Sequence, residues 1–253
     1  MTSRFVLSTS DKVYFGLVVL LSALAALNIF LPQGDFIPVN IEQSMPASKP
    51  ILAMMNAAIM LFVYGGLGLV GIQLGKKVGF ADMIDPATTV QQRVVTPAII
   101  GGGLGLFFIV ADLAFSQLHK LGPLPHPPFP TSIVVSAIAG IGEEIVFRLF
   151  FISFWFWLFY HVILKRKYRQ IVFWIVTFFS AMAFSAGHLP SVMMILGVGE
   201  FVEIPVALLI EVFLLNGTLS FVTAYFLQKH GFLAAVGVHF WTDIVWHVIW
   251  GSI

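Results

Sequence analysis

Residues 131–164 read TSIVVSAIAGIGEEIVFRLFFISFWFWLFYHVIL, and this stretch decides the fold class. Its only acidic and basic residues are Glu143, Glu144 and Arg148. A helix of this length extends about 50 Å, whereas the hydrocarbon core of a bilayer is about 30 Å thick. The stretch therefore predicts one tilted membrane helix that protrudes from the bilayer, or a helix that is broken near Arg148.

The whole chain shares this apolar character. Of its 253 residues, 59% are hydrophobic and 10% are charged, whereas a soluble domain carries roughly 25% charged residues. So few charged side chains cannot cover a folded domain in water, and a lipid bilayer removes that requirement. A net charge of +1 argues against nucleic acid as a partner. The lack of cysteine excludes disulfides, thiolate nucleophiles and cysteine-ligated metals.

Seven stretches of the chain are candidates for membrane spans, each of which needs about 20 residues. They cover residues 13–31, 51–75, 94–118, 131–164, 170–187, 204–228 and 231–250. The sequence His188-Leu-Pro190 interrupts the fifth apolar stretch, which predicts a short re-entrant or interfacial segment after it. We therefore expect an all-α, polytopic helix bundle of about seven spans with an active site in its interior. Eight spans are the alternative, in which the 131–164 stretch crosses twice.

The chain is expected to form one membrane domain in two parts. Residues 1–130 supply three spans with their loops, and residues 131–253 form the helical core that carries the chemistry. Lysine and arginine in short loops mark the cytoplasmic side of a membrane protein. With seven crossings the basic positions share one side: Arg4, Lys12, Lys76, Lys77, Arg93, residues 165–169 and Lys229. We therefore expect a multi-pass protein of the cell membrane with a cytoplasmic N-terminus.

Glycines in the second and third spans indicate close helix packing. Gly71 and Gly75 are four residues apart, and residues 101–103 with Gly105 form a second group. Small residues at such spacing let helix backbones approach each other in lipid. Asp112, near the end of the third span, is interpreted as a snorkelled or paired interfacial group.

Residues 140–148 read GIGEEIVFR and place three charges inside a span. Each charge at the centre of a membrane helix costs about 2.5–3.5 kcal/mol to insert. Glu144 and Arg148 are four residues apart and can pair on one helix face. Glu143 lies about 100° around the helix, so it remains as a surplus carboxylate that a structural ion pair does not explain.

Two further stretches bring histidine into the apolar spans. FSAGH ends the fifth span at His188, where the end of the helix lets the imidazole point into a cavity. HFWTD places His239 and Asp243 four residues apart, so the carboxylate can orient the ring and fix its tautomer. His247 follows after four more residues, so Asp243 has the spacing to hydrogen-bond either imidazole ring.

These groups support two kinds of hydrolytic site. Glu143 can act as a general base on water, with His188 and His239 positioning the water and stabilising the oxyanion. Alternatively, Glu143, His188 and His239, together with Asp243, ligate zinc and leave one position open for water. Both arrangements activate water for hydrolysis, and sequence spacing leaves both open.

The three motifs together resemble the signature of the CPBP family, the CAAX-protease and bacteriocin-processing intramembrane proteases, which include type II CAAX prenyl endopeptidases. That signature is Glu-Glu-x-x-x-Arg, then Phe-x-x-x-His, then His-x-x-x-Asn/Asp. The corresponding residues here are Glu143, Glu144 and Arg148, then Phe184 and His188, then His239 and Asp243. The resemblance covers residues 132–250. Asp243 stands where many CAAX-cleaving members carry asparagine, which adds negative charge and favours a metal.

The resemblance implies endoproteolysis near or inside the membrane. By that resemblance Glu143 activates the water, and His188 helps to hold that water or a metal. His239 and Asp243 complete the site, while Glu144 and Arg148 orient it. The expected partners are membrane lipid and a peptide or protein substrate that is prenylated or otherwise membrane-anchored. Eukaryotic relatives remove the last three residues of prenylated CAAX proteins, and bacterial relatives are linked to peptide maturation and bacteriocin self-immunity.

Two other functional classes stay open from the residues alone. A proton-coupled transporter would use Asp112, Glu211 and Asn216 with Glu143 and His188 as a relay through the membrane. Such a relay should extend across both leaflets, whereas a hydrolytic site gathers in one pocket. A catalytically silent scaffold or immunity protein would bind a partner in the bilayer. Glu211 by itself is interpreted as a paired interior group.

Overall fold

The computed structural model describes residues 8–34 and 47–253, so Arg4 lies outside the described residues. The described residues form seven long helical stretches and no strand. They are α1 (Thr9–Asn28), α2 (Lys49–Lys77), α3 (Gln91–His119), α4 (residues 131–163), α5 (Arg169–Leu196), α6 (Val206–His230) and α7 (Phe232–Ser252). All of them except α4 are long and apolar enough by composition to cross a membrane. The predicted all-α polytopic bundle is confirmed, and the chain is an integral multi-pass membrane protein.

Helix α4 is the centre of the bundle. It runs without a break from Thr131 to Ile163, so the helix is not broken near Arg148. The segment Glu144–Ile152 has wider turns with i→i+5 hydrogen bonding, a geometry that recurs at functional sites. α4 packs against α1, α2, α5, α6 and α7. This central position buries the charged motif among the other helices.

Helix α5 consists of two segments that meet at His188. The first segment, Arg169–Gly187, ends one residue before His188, and Leu189–Leu196 continues with Pro190 in its first turn. The predicted end of the span near Gly187 is confirmed. Proline cannot donate the backbone hydrogen bond that a continuous helix would need at this point.

Glycine contacts set the closest helix approaches. A Cβ atom at Gly71 would overlap the backbone of Leu149 on α4. A Cβ atom at Gly101 or Gly105 would overlap the α7 backbone. The predicted packing role is confirmed at these three positions. It is wrong for Gly103, because a Cβ atom there would have no neighbour within 4 Å.

Alanine substitutions on α3 test this packing. We expect Gly101→Ala to lower the free energy of unfolding by about 1–3 kcal/mol, because the new methyl group forces α3 away from α7. Gly103→Ala is the matched control on the same helix, and it should be neutral or stabilising because alanine favours helix over glycine. Denaturation in detergent measures both, and equal effects of the two variants would contradict the packing assignment.

Candidate active site

One cavity is lined by ionisable residues from each of the three sequence motifs. α4 supplies Glu143, α5 supplies His188, and α7 supplies His239 and Asp243, and all four line a cavity of about 170 Å³. A space of this size holds several water molecules. The structure therefore brings together the four residues that the sequence predicts for the site.

The imidazole of His239 is held between three carboxylates. Its Nδ1 donates to Oε1 of Glu144 at 2.9 Å. Its Nε2 lies 3.7 Å from Oε2 of Glu143 and 3.6 Å from Oδ2 of Asp243. We expected Asp243 to orient the ring, and this is wrong: the hydrogen bond that fixes the ring comes from Glu144. Asp243 instead faces the nitrogen that points into the cavity.

Glu144 is in turn held by a fully buried arginine. Oε2 of Glu144 lies 3.3 Å from Nε of Arg148, and neither side chain has any solvent exposure. Nε of Arg148 also donates to the Thr223 hydroxyl at 2.7 Å, and its guanidinium lies 4.3 Å from the ring centroid of Phe184. The predicted Glu144–Arg148 pair is confirmed. The contact with Thr223 was not predicted, since no sequence pattern connects α4 with that position on α6.

Phe184 connects the arginine to both site histidines. Its ring centroid is 4.9 Å from that of His188 and 6.0 Å from that of His239. Its carbonyl accepts a hydrogen bond from Nδ1 of His188 at 2.9 Å. Because Nδ1 carries the proton, Nε2 of neutral His188 is left as an acceptor. The break in α5 at this residue places the ring at the cavity wall.

His247 does not share Asp243 with His239. Its Nδ1 lies 3.0 Å from Nδ1 of His126, a residue of the loop between α3 and α4. Burial lowers the pKa of His126 to about 4, so the ring is neutral at neutral pH and the two imidazoles share one N–H. The 121-residue separation explains why the sequence did not predict the pair.

A second polar cluster lies outside the cavity. Nε2 of His119 donates to Oε2 of Glu211 at 3.1 Å, since Nδ1 of His119 accepts the Leu121 N–H. Oδ1 of Asp112 accepts the N–H of Leu124 at 3.0 Å. The interpretation of Glu211 as a paired interior group is confirmed. Asp112 is hydrogen-bonded but fully buried, so its interpretation as an interfacial group is wrong. Neither is among the described residues that line the cavity, so the two polar groups of the bundle are separate.

The donor groups of the cavity bear on the zinc alternative. Imidazole and carboxylate are suitable zinc ligands in type. Among residues 8–34 and 47–253, however, no three histidine, aspartate or glutamate side chains are placed so that they could hold one metal ion. The arrangement as described does not fit a bound zinc ion, and no step below is routed through a metal.

Loss of the buried arginine is expected to destabilise the whole bundle. Arg148→Ala leaves the Glu144 carboxylate buried without its cation, which should cost about 3–5 kcal/mol of the free energy of unfolding. Glu143→Gln is the matched control, because Glu143 is on the same helix but its side chain is 35% exposed. Thermal denaturation in detergent measures both variants. Equal stability of the two would show that the Glu144–Arg148 pair does not support the fold.

Comparison with known proteins identifies one family. Residues 125–245, just under half of the chain, match the family model described as Type II CAAX prenyl endopeptidase Rce1-like. No curated protein and no solved structure matches the chain. The matched segment contains all three motifs and four of the ionisable residues that line the cavity, namely Glu143, His188, His239 and Asp243. Over this segment the chain is similar to the type II CAAX prenyl endopeptidases, the same group that the three sequence motifs resemble.

Proposed function

We propose that the protein is an intramembrane endopeptidase that hydrolyses a peptide bond with a water molecule activated by Glu143. One observation carries the proposal: five ionisable residues from three helices, among them Glu143, His188 and His239, line one cavity in the bundle interior. Ionisable side chains are costly to place in lipid, so several of them in one cavity indicate a functional site. The family match over residues 125–245 supports proteolysis as that function.

Glu143 is the proposed general base. Its side chain is 35% exposed, and within the described part of the chain its carboxylate accepts no hydrogen bond. It is therefore free to bind a water molecule and to take a proton from it as the water attacks the scissile carbonyl carbon. The same carboxylic acid then protonates the amine that leaves when the C–N bond breaks.

The two histidines have different proposed roles. Nε2 of His188 is an acceptor and positions the water beside Glu143. Nε2 of His239, when it carries a proton, donates to the developing oxyanion, because Glu144 holds Nδ1 and fixes the ring. Oδ2 of Asp243 lies 3.6 Å from the same nitrogen, and Asp243 also lines the cavity. Glu144 and Arg148 act through His239 and are positioning residues.

The proposed substrate is a membrane-anchored peptide or protein, of the CAAX type or a peptide precursor. Most of the other residues that line the cavity are apolar, among them Val212, Leu215, Leu219 and Trp246. An apolar wall suits a substrate that approaches from lipid. We also propose a cell-membrane location with a cytoplasmic N-terminus, which rests on the distribution of lysine and arginine.

Glu143→Gln tests the general base. The amide keeps the size of the side chain but cannot take a proton, so kcat/KM should fall by about 100- to 10,000-fold while the protein stays folded. Cleavage of a prenylated CAAX peptide by protein reconstituted in vesicles gives the rate, and thermal denaturation gives the folding control.

Ser191→Ala is the matched control for that assay. Ser191 lines the same cavity but has no proposed chemical role, so its variant should retain activity within a few-fold. Wild-type activity of Glu143→Gln would refute the general-base assignment. A wild-type protein that binds the peptide without cleaving it would favour the scaffold alternative instead.

Chelation distinguishes the water-only site from the zinc alternative. Because no described set of three ligands is placed to hold one metal ion, we expect activity to persist after dialysis against a strong chelator. Elemental analysis of the same sample should then find far less than one zinc ion per protein molecule. Loss of activity that zinc alone restores would establish the zinc version.

A further inference from the structure

An apolar groove lies on the outside of the bundle, between α4 and α5. It encloses about 480 Å³ and is lined on the α4 side by Phe151, Trp155, Phe159 and Leu164, and on the α5 side by Val172, Ile175, Val176 and Phe179. None of these residues lines the cavity that contains Glu143. The groove is therefore a separate feature on the face that the bundle presents to lipid.

The length of the groove matches one leaflet. Its α4 wall extends from Phe151 to Leu164, which is about 20 Å along a helix axis. One leaflet contributes half of the hydrocarbon core, or about 15 Å. A single acyl chain that lies along the groove therefore starts near Leu164 and ends near Phe151.

A basic loop closes the Leu164 end of the groove. Lys165, Arg166 and Lys167 follow directly, and all three are exposed. Within the described ranges 8–34 and 47–253, none of the three lies within salt-bridge distance of a carboxylate. Arg169 differs, because it donates to the Val78 carbonyl at 2.6 Å and so is committed to the fold.

The backbone of this loop adopts an unfavourable conformation at several residues. Lys165, Arg166 and Tyr168 have φ values of 48°, 67° and 58°, in a region where residues other than glycine are uncommon. Of the described non-glycine residues with positive φ, only Lys120 lies elsewhere. Such conformations persist where the surrounding structure imposes them, often at binding sites.

We propose that the groove and the loop together bind one anionic glycerophospholipid. Its acyl chain fills the groove, and its phosphate and headgroup lie against Lys165, Arg166 and Lys167. A neutral lipid chain alone would satisfy the groove but would leave three adjacent cations without a counter-charge. Basic clusters at the ends of membrane helices attract anionic lipids in this way. The site stands on the groove and the loop alone and does not depend on peptidase activity.

The experiment compares two lipids on the full-length protein in detergent. The probes are phosphatidylglycerol and phosphatidylcholine with identical acyl chains, and native mass spectrometry measures the affinity for each. We expect phosphatidylglycerol to bind about 100-fold more tightly, at about 1 kcal/mol for each of the three cations. Arg166→Gln/Lys167→Gln should weaken phosphatidylglycerol binding by about 30-fold, which corresponds to two lost cation contacts, and should leave phosphatidylcholine binding unchanged.

Two matched controls test whether lipid binding depends on this loop and this groove rather than on the total charge or apolar surface of the protein. Lys12→Gln/Lys229→Gln removes the same charge from exposed positions elsewhere and should preserve the preference for phosphatidylglycerol. Ile175→Trp fills the groove and should weaken both lipids. Ile171→Trp is its control, because Ile171 is exposed on the same helix but does not line the groove, and it should have no effect.

Four outcomes would overturn the proposal. Equal affinity for the two lipids would show that the cations do not contribute to binding. Equal losses of phosphatidylglycerol affinity in the two double variants would show that the preference comes from the general surface charge. Unchanged lipid binding in Ile175→Trp would remove the groove. A change of oligomeric state in Ile175→Trp, without a change in the affinity for either lipid, would make the groove an interface between copies of the chain. Cleavage activity is not a readout here, so failure of the lipid site leaves the proposed peptidase untouched.

Discussion

The fold depends on the neutralisation of Arg148 and Glu144 inside the bundle. Both side chains are fully buried, and either charge alone would be expensive at the centre of a membrane helix. The pair is completed by the Thr223 hydroxyl and by the ring of Phe184, so α5 and α6 both contact the charge on α4. The packing of α4, α5 and α6 therefore fixes the position of the Glu144 carboxylate. The neutralised pair also gives Glu144 the fixed geometry that it needs to hold His239.

Neighbouring glutamates therefore have opposite environments. Glu144 points toward the arginine and is closed off, whereas Glu143, one position along the helix, is partly open to the cavity. Because successive helix residues are turned by about 100°, the two side chains lie on different faces of α4. The Glu144 carboxylate contacts Arg148 through one oxygen and His239 through the other. An accessible carboxylate without a hydrogen-bond donor is suited to bind water, and this difference is the reason that Glu143 is the proposed general base.

Most of the helices and the site could be predicted from sequence because both follow from local patterns. The spans follow from apolar length, and the Glu144–Arg148 pair follows from four-residue spacing on one helix. What the sequence could not specify is which residue meets which across helices. Asp243 has the right spacing to orient His239, yet Glu144, 95 residues away, makes that hydrogen bond. The His126–His247 pair likewise depends on how a loop folds back over α7, which no periodic pattern encodes.

Close packing at a glycine connects the fold to the chemistry. A Cβ atom at Gly140 would lie 3.2–3.3 Å from the backbone of Phe240, so only a glycine lets α4 and α7 approach this closely without adjustment. Gly140 is one helical turn before Glu144, and Phe240 is adjacent to His239. The short separation of the two backbones is what allows a glutamate side chain to reach Nδ1 of His239 at 2.9 Å. A larger residue at position 140 would separate the helices at the level of the site, and the imidazole would lose the carboxylate that holds it before any catalytic group had been changed.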